Sequence, residues 1–397
     1  MRKTIKDIGL LIAMTLVPVI LVWTPFFLRR STFWNIPIPK SGMATIVANY
    51  DGPLYIVIAK TFYNLTNIST NFSFPLPNEY WAAHFPLYPL LIRFFSYLPG
   101  GFPYSMLLVT LFSSFLAIYF FYKLVGQYIN RSNALWLTFV FSIFPARWLV
   151  VRSVGSPEPL FVAMIIASVY YFQNKKYLLA GVFGALAQLT KSPGILLFVA
   201  YTLSIGSTFI QNQISAKDVK FGKLTNWRAW PVLAFIPGAL LLLFGVYSVQ
   251  FGDFFAYFNS GDNIHLFFPP FQIFNYAASW VGTFWLEEVI LVYLIGTLGV
   301  LKLVDLYKNA DKSTKHLYEI PMWFAIVFFV SIIFVSHRDI VRYALPIIPF
   351  LMVGWSKFLT KKEFKIAFFV ILIPIYLFTI SFISQNVMPI SDWAPLL

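Results

Sequence analysis

The chain has 397 residues, of which 59% are hydrophobic and only 11% are charged. Its mean hydropathy is +0.74, and apolar runs of about 20 residues, the length of a helix that crosses a bilayer, recur along it. This composition excludes a water-soluble globular domain, which could not cover so much apolar surface. The net charge of +14 lies in short loops between apolar runs, so nucleic acid is excluded as a partner. The absence of cysteine excludes disulfides and thiolate metal sites.

The N-terminus, MRKTIKDIGLLIAMTLVPVILVWTPFFLRR, has a basic start that leads directly into a long apolar run. A cleaved signal peptide has a shorter run and a small-residue cleavage site, so we predict an uncleaved first transmembrane helix. In total the apolar runs predict about eleven spans. They cover residues 8–28, 104–124, 133–150, 158–174, 177–190, 193–210, 231–250, 280–301, 320–336, 343–359 and 366–384.

Residues 29–103 are one long external loop in this topology. The loop contains the apolar piece FPLYPLLIRFFSYL at residues 85–98, which is short and carries Arg93, so we predict a helix lying at the membrane interface. The N-terminus is then cytoplasmic and most of the 29 basic residues lie inside, as the positive-inside rule requires. We expect one integral membrane module over residues 1–397, an all-helical bundle without a separate soluble domain.

Ionisable side chains gather at the predicted external ends of the spans, where they are costly and therefore indicate function. Each also has a structural interpretation. Asp51, in the turn NYDGPLY, can cap the next helix or take a proton as a general base. Glu158, in GSPEPLF, suits the first turn of a helix. His84 can be an ordinary interfacial histidine, and Lys191 can extend to the outer surface.

The run SHRDIVRYALP is harder to explain structurally. Arg338 and Arg342 are one helical turn apart and share a face, with His337 beside them, and Asp339 can neutralise one of them. Cationic groups on the face where the orientation rule disfavours them indicate an anionic ligand, of which phosphate is the natural candidate. A carboxylate near such a cluster predicts group transfer from a lipid-phosphate carrier, with the acid as base and the cations stabilising the departing phosphate.

Several of these segments carry a family resemblance. NYDGPLYIVIAKTFY followed by HFPLYPLLIRFFSYLPG resembles the first-loop pattern of PIG-V-type GPI mannosyltransferases and their prokaryotic relatives, which belong to the GT-C class of membrane glycosyltransferases. GSPEPLF, LAGVFGALAQLTKSPGILLF and HRDIVRYALPIIPFLMV are similar to later elements of that family, in the same order. The chain departs from the pattern at Tyr50, where the family usually has Trp, and at Lys191, where Arg is typical.

The resemblance implies a polyprenyl- or dolichyl-phosphate-sugar-dependent transferase, often of mannose, with Asp51 as the catalytic base. We predict that the donor phosphate is bound by Arg338, Arg342, His337, Lys191 and Arg152. We predict that the acceptor and donor pocket is formed by Asn49, Tyr50, His84, Tyr88 and Glu158.

The sequence therefore predicts an inverting glycosyltransferase that moves a hexose, preferably mannose, from a polyprenyl-phosphate carrier to a lipid-linked or surface glycan. The active site would face outwards, at the plasma membrane or in the endoplasmic reticulum of a eukaryote. No cofactor is expected; a metal is not required, although a divalent cation can bind. The expected partners are the donor, the acceptor and membrane lipids. The alternatives are a lipid-linked oligosaccharide flippase or transporter, which would have charges near the bilayer centre, and a glycan ligase or polymerase.

Overall fold

A computed structural model of the chain describes residues 2–215, 227–261, 265–275 and 285–397. In these residues the regular structure is helical apart from a small antiparallel hairpin of β1 (Thr32–Phe33) and β2 (Ile36–Pro37) and isolated bridges. The first half contains α1 (Arg2–Phe27), α2 (Met43–Val47), α3 (Gly52–Thr61), α4 (Leu65–Asn71), α5 (Leu87–Phe95), α6 (Gly101–Val125), α7 (Arg131–Phe141), α8 (Ala146–Ser153), α9 (Glu158–Gln173) and α10 (Tyr177–Gln188).

The second half contains α11 (Ile195–Ser215), α12 (Trp230–Phe251), α13 (Leu286–Asn309), α14 (Lys315–Ile332), α15 (Ile340–Ala344), α16 (Ile348–Gly354), α17 (Ser356–Leu359) and α18 (Lys362–Gln385). Short 3₁₀ turns occur at Asn78–Ala83, Ser192–Gly194, Trp227–Ala229, Gln272–Phe274, Leu345–Ile347 and Ala394–Leu396. All eleven predicted spans coincide with helical segments, except that residues 280–284 of one span lie outside the described residues.

Seven of the described helical segments are long and apolar enough to cross a membrane. They are α1 from Ile5, α6, the segment Ser192–Ile210 that joins a 3₁₀ turn to α11, and the helices α12, α13, α14 and α18. An eighth span is formed if α7 and α8 are taken together, although they are bent by 71° at the break between them. The other three predicted spans are shorter helices, α9, α10 and the segment Ile340–Gly354. The count of eleven remains a prediction.

The predicted external loop contains the hairpin and the short helices α2 to α5. The apolar piece at residues 85–98 forms α5, which has nine residues. One face of α5 is buried through Tyr88 and Ile92, whereas Leu90 and Phe94 on other faces are exposed. A short helix with an apolar exposed surface is what an interfacial position requires, and that position remains a prediction.

The chain divides into two compact units. Unit 1 comprises residues 1–163, 244–263 and 358–397, and unit 2 comprises residues 164–243 and 264–357. In unit 1, α3 packs against α5 and α6, α1 packs against α6 and α8, and α18 packs against α8. The predicted base Asp51 and all five predicted pocket residues lie in unit 1, whereas Lys191 and the 337–342 run lie in unit 2.

Unit 2 is built around α14, which packs against α11 and α13. Several of its polar groups are paired across helices. Ser204 and Thr208 of α11 donate hydrogen bonds of 2.8 and 3.0 Å to Oε1 of Glu319, and the hydroxyl groups of Ser168 and Tyr201 are 2.7 Å apart. Such pairing is expected of polar side chains in spanning helices, because lipid offers no alternative partner.

The membrane orientation can be tested with single cysteines, because the chain has none of its own. Thr70, Ser391 and Ser313 are exposed. We expect Thr70→Cys and Ser391→Cys to react with an impermeant thiol reagent from outside the cell, and Ser313→Cys to react only after the membrane is opened. Reaction of Thr70→Cys and Ser313→Cys from the same side would contradict the orientation. Ser260 is predicted to face outwards but is 1% exposed, so a cysteine there would not react with the reagent from either side.

Candidate active site

The turn that carries Asp51 leaves its carboxylate outside the helix that follows. Asp51 occupies the N-cap position of α3, yet among the described residues its side chain makes no capping hydrogen bond. A carboxylate at this position ordinarily accepts a bond from the first backbone N–H groups of the helix. Instead the backbone forms the turn: the N–H of Gly52 bonds to the carbonyl of Asn49 at 3.2 Å. Capping therefore does not explain the acid.

The residues on either side of Asp51 have unusual backbone requirements. Tyr50 has a φ of +48°, a left-handed conformation that is uncommon for a bulky residue and costs energy. Gly52 is in a tight space, because a Cβ there would lie 2.7 Å from the carbonyl oxygen of Val47 and 3.4 Å from that of Gly155. The turn is thus pressed against the loop that precedes α9. Pro53, with its fixed φ, then suits the first turn of α3.

Asn49 fixes this turn to the end of the last helix. It is fully buried, and its Nδ2 donates to the carbonyl of Ile383 at 2.8 Å while its Oδ1 accepts from Nδ2 of Asn386 at 3.1 Å. The backbone adds a bond from the N–H of Met388 to the carbonyl of Ala48 at 2.7 Å. Asn49 was predicted to line the pocket, but its amide is engaged by the protein and serves to position the turn.

The predicted pocket residues His84 and Tyr88 are brought together by an aromatic group on α3. The ring of Tyr55 is 5.0 Å from that of His84 and 5.1 Å from that of Tyr88, both edge-to-face. The hydroxyl of Tyr63 donates to the backbone carbonyl of His84 at 2.6 Å. His84 and Tyr88 are buried, so they form the packed support beneath the helix that begins at Asp51.

A chain of polar contacts links Tyr88 to Glu158. The Tyr88 hydroxyl is 2.7 Å from Oγ1 of Thr110 on α6, and Thr110 accepts a bond from the N–H of Ser156 at 3.3 Å. The Ser156 hydroxyl in turn donates to the carboxylate of Glu158, the first residue of α9. Burial, and to a smaller extent the charge of Glu158, raises the pKa of Tyr88. Glu158 is 4% exposed and belongs to this network.

Arg147, which we did not single out from the sequence, lies beside the Asp51 turn. Its guanidinium carbon is 3.8 Å from the centre of the Phe382 ring, and Tyr50 packs on the same ring at 5.6 Å. Arg147 is 9% exposed and sits in the first turn of α8. The available sequence signal was an arginine at a helix start within the apolar segment 133–150. Its aromatic partner is on α18 and could not be found by spacing.

Arg152, predicted to contact the donor phosphate, is directed at the protein backbone. Its guanidinium is fully buried and donates to the carbonyl of Ser142 and, at 3.0 Å, to that of Thr15. These carbonyls belong to the broken end of α7 and to α1. Because its nitrogens bond to the backbone of two helices, Arg152 joins those helices within unit 1, and we leave it out of the proposed phosphate site.

Within unit 2 the other predicted cations form one positive region. His337 is close enough to Lys191, Arg338, Arg342 and His265 to be affected by their charges, and its ring is 4.5 Å from that of His265. Arg338 is exposed. The four predicted donor-phosphate residues of unit 2 thus lie near one another, and their role as phosphate ligands remains a prediction.

Two details of this region reduce its positive charge. Burial and the neighbouring cations lower the pKa of His337 to about 3, and its Nδ1 accepts the backbone N–H of Asp339 at 2.9 Å. The imidazole is therefore neutral at pH 7. Arg342 is ion-paired with Asp339 at 3.3 Å, so part of its charge is compensated, whereas His337 retains a ring N–H with which it can donate a bond.

In the described part of the chain no group of three or more His, Cys, Asp or Glu side chains is arranged to hold a metal ion. His265 and His337 form a pair of such side chains, and their rings pack together with the ring of Tyr343.

No protein-family model and no curated protein matches this chain, but solved structures share its fold. ArnT from Cupriavidus metallidurans, bound to undecaprenyl phosphate, matches with a TM-score of 0.56 and 12% identity over 91% of this chain and 62% of that chain. The archaeal oligosaccharyltransferase AglB from Archaeoglobus fulgidus, in complex with an inhibitory peptide and a dolichol-phosphate, matches with a TM-score of 0.57 and 14% identity over 98% and 57%. The oligosaccharyltransferase of that organism in complex with Zn and sulfate gives a TM-score of 0.54 and 14% identity over 96% and 54%.

At these identities the likeness concerns the fold, and the chain spans about six tenths of the length of the structures that it resembles. The predicted fold class is confirmed: the chain is an integral membrane protein with the helical fold of GT-C membrane enzymes. The narrower resemblance to PIG-V-type mannosyltransferases remains a prediction.

The neutral state of His337 predicts a dependence of stability on pH. Between pH 6.5 and the folded pKa of about 3, the unfolded chain binds a proton that the folded chain does not, so acidification favours unfolding. We expect the free energy of unfolding to fall by about 1 kcal/mol more in the wild type than in His337→Asn between pH 6.5 and 5.5. Asparagine keeps an acceptor for the N–H of Asp339 but cannot be protonated.

The measurement is denaturant unfolding in detergent at both pH values, with His316→Asn, an exposed histidine, as the control. His316→Asn should keep the pH dependence of the wild type. Equal pH dependence in the wild type and His337→Asn would show that His337 is not held neutral by the fold.

Proposed function

We propose that the chain is an inverting glycosyltransferase that transfers a hexose, preferably mannose, from a polyprenyl- or dolichyl-phosphate carrier to a hydroxyl group of a lipid-linked or surface glycan. The observation that carries the proposal is the carboxylate of Asp51. It is presented by a strained, firmly anchored turn without capping the adjacent helix, in a fold that matches one structure bound to undecaprenyl phosphate and another in complex with a dolichol-phosphate.

The reaction requires one base. As the oxygen of the acceptor hydroxyl forms a bond to the anomeric carbon, the bond from that carbon to the carrier phosphate breaks, and its electron pair leaves with the phosphate. The hydroxyl proton passes to the Asp51 carboxylate, because an alcohol is a weak nucleophile until its proton is removed. The carrier phosphate leaves as an anion and needs no proton, unlike the leaving group in glycoside hydrolysis, which uses two carboxylates. A single displacement inverts the anomeric configuration.

The positive region of unit 2 is proposed to hold the carrier phosphate. Arg338 is exposed, and a guanidinium can form two parallel bonds to phosphate oxygens. Lys191 adds a second charge, and neutral His337 can donate through its ring N–H. Arg342, ion-paired with Asp339, orients this region and contributes a partly compensated charge. With cationic side chains supplying the charge stabilisation, the proposed reaction does not require a divalent cation.

In unit 1 the remaining predicted residues support the base. Tyr50 borders the turn directly and is half-buried, so it is proposed to contact the acceptor. His84, Tyr88 and Glu158 are buried in the aromatic and polar network under α3 and are proposed to fix the pocket floor. The site is proposed to face the extracytoplasmic side, with the N-terminus in the cytoplasm.

A second candidate is the transfer of a whole oligosaccharide, because one matching structure is an oligosaccharyltransferase. The two candidates differ in donor, so a panel of labelled donors distinguishes them. Purified protein should consume a polyprenyl-phosphate monosaccharide under the first proposal and a lipid-linked oligosaccharide under the second. The role of Asp51 can be tested with whichever donor is consumed.

Replacing Asp51 with asparagine removes the base and keeps its shape. We expect the turnover rate of Asp51→Asn to fall by about 10²- to 10⁴-fold, the usual contribution of a general base, with expression and donor binding retained. Glu79→Gln is the matched control, because Glu79 is an exposed acid in the same predicted loop and should keep full activity. The product of one wild-type turnover, analysed by NMR, should have the opposite anomeric configuration to the donor.

Near-normal turnover by Asp51→Asn would exclude Asp51 as the base. Retained configuration would exclude a single displacement even if Asp51 proved essential, because it requires a covalent intermediate or a second inversion.

The phosphate site predicts different results for its two arginines. Arg338→Ala should weaken donor binding by about 1.5–3 kcal/mol, the value of a hydrogen bond to a charged group, without a change in thermal stability. Arg338→Lys should bind the donor almost as weakly as Arg338→Ala, because an ammonium cannot form the two parallel bonds that a guanidinium makes to a phosphate. Arg342→Ala should also lower the Tm, because it leaves the buried Asp339 without its cation.

Donor binding to detergent-solubilised protein and Tm measurements test both variants, with Arg93→Ala, an exposed arginine of α5, as the control. Wild-type donor affinity in both Arg338→Ala and Arg342→Ala would place the phosphate elsewhere.

A further inference from the structure

A basic cavity lies in unit 2, just beyond the C-terminal end of α9. Its volume is about 410 Å³, and it is lined by the α9–α10 loop, by the first turn of α10 and by the start of α12. Among the described residues that line it, Lys175, Lys176 and Arg228 are cationic and none is acidic. The proposed sugar transfer makes no use of this cavity, since Lys191, the first proposed phosphate residue of unit 2, follows the 12 residues of α10, which extend over about 18 Å.

The walls of the cavity are held together by close packing. A Cβ on Gly181 of α10 would lie 2.7 Å from the carbonyl oxygen of Pro231, which begins the α12 wall. Ile236 of α12 makes a second close contact one turn further along α10, 2.7 Å from where a Cβ on Gly184 would lie. The position of Arg228 opposite the two lysines is therefore set by packed helices. The cavity is a feature of the fold.

The rim of the cavity is apolar. Trp230 is 52% exposed and Leu178 is 59% exposed, and both line the cavity beside the cations. Tryptophan is enriched where a membrane protein crosses from hydrocarbon to headgroups, and exposed leucine beside it suits acyl chains. A cavity for a soluble anion would not need these side chains.

We propose that this cavity binds the phosphodiester headgroup of an anionic membrane phospholipid. The three cations neutralise the headgroup, the first N–H groups of α10, which has no side-chain cap, face an anion favourably, and Trp230 and Leu178 contact the lipid tails. Basic pockets between spanning helices bind anionic headgroups on the cytoplasmic side in this way. In the proposed orientation the α9–α10 loop is cytoplasmic, so the lipid belongs to the inner leaflet.

The test compares lipids with purified full-length protein in mixed micelles. We expect phosphatidylglycerol to raise the Tm of the wild type in a saturable manner, and phosphatidylcholine to have no comparable effect. The triple variant Lys175→Gln, Lys176→Gln, Arg228→Gln should bind phosphatidylglycerol about 100-fold more weakly, at about fivefold per charge removed, the equivalent of about 1 kcal/mol each. Leu178→Glu, which adds one negative charge at the exposed rim, should weaken binding by about fivefold and serves if the triple variant does not fold.

The matched control is the triple variant Lys312→Gln, Lys361→Gln, Lys362→Gln, which removes three exposed charges from the same predicted side of the membrane. It should keep the wild-type affinity for phosphatidylglycerol, and inorganic phosphate alone should not raise the Tm. An equal loss of affinity in the control variant would show that the effect arises from general surface charge, and it would overturn the proposal. Stabilisation by inorganic phosphate equal to that by phosphatidylglycerol would overturn the assignment to a lipid.

Discussion

The hydrogen bonds of Asn49 to the end of α18 are the contacts on which the proposed active site depends. They join residues more than 330 positions apart in the chain and involve the buried amide of Asn49, so breaking them would leave that amide unpaired at a cost of about 1–3 kcal/mol. They hold a turn in which Tyr50 is left-handed and Gly52 has no room for a side chain. The position of Asp51 is therefore set by long-range packing in unit 1, and a preorganised base of this kind loses little entropy when the acceptor arrives.

The acids of this chain show why Asp51 is the candidate base. Three other acids of the described residues have protein partners: Asp7 is paired with Arg131, Asp339 is paired with Arg342, and Glu319 accepts bonds from two hydroxyl groups. Glu158, the other acid favoured by the sequence, receives a bond from Ser156. Asp51 occupies a position where a helix would normally use its carboxylate and does not. An acid maintained in a strained turn without a structural use is best explained by chemistry.

Hydropathy was sufficient to predict the fold class, because each apolar run became helical and spanning helices must satisfy their own backbone. It could not predict where runs break. The run at 133–150 bends by 71° between α7 and α8. The run at 343–359 is divided by a 3₁₀ turn at Leu345–Ile347. Both breaks lie near prolines, which an average of hydropathy over a window does not detect. The lengths of the resulting pieces, and so the number of true spans, depend on these local breaks.

For the site, the sequence drew attention to the acid and the basic run, whose roles remain predictions, but it could not assign what each side chain contacts. Arg152 was grouped with the phosphate ligands on charge alone, and its guanidinium is buried against carbonyls of α1 and α7. Arg147 was missed because its partner, Phe382, is in the last helix. The charge of His337 depends on burial, which no residue pattern reveals.

The two basic regions of unit 2 differ in a way that fits two different phosphate ligands. In the region of His337 and Arg342, the imidazole is neutral and the guanidinium is partly compensated by Asp339, so a bound phosphate meets a moderated charge. A transferase must release its carrier phosphate after each turnover, and uniformly tight binding of donor and product would slow that release without lowering the barrier to reaction. In the cavity beside α10, Lys175, Lys176 and Arg228 are the charged residues among the described part of the lining. A lipid that remains bound throughout the cycle gains from such a concentration of positive charge, since nothing requires its release. In these two proposals it is the difference in compensation, rather than the number of cations, that separates a site for a reacting phosphate from a site for a resident one.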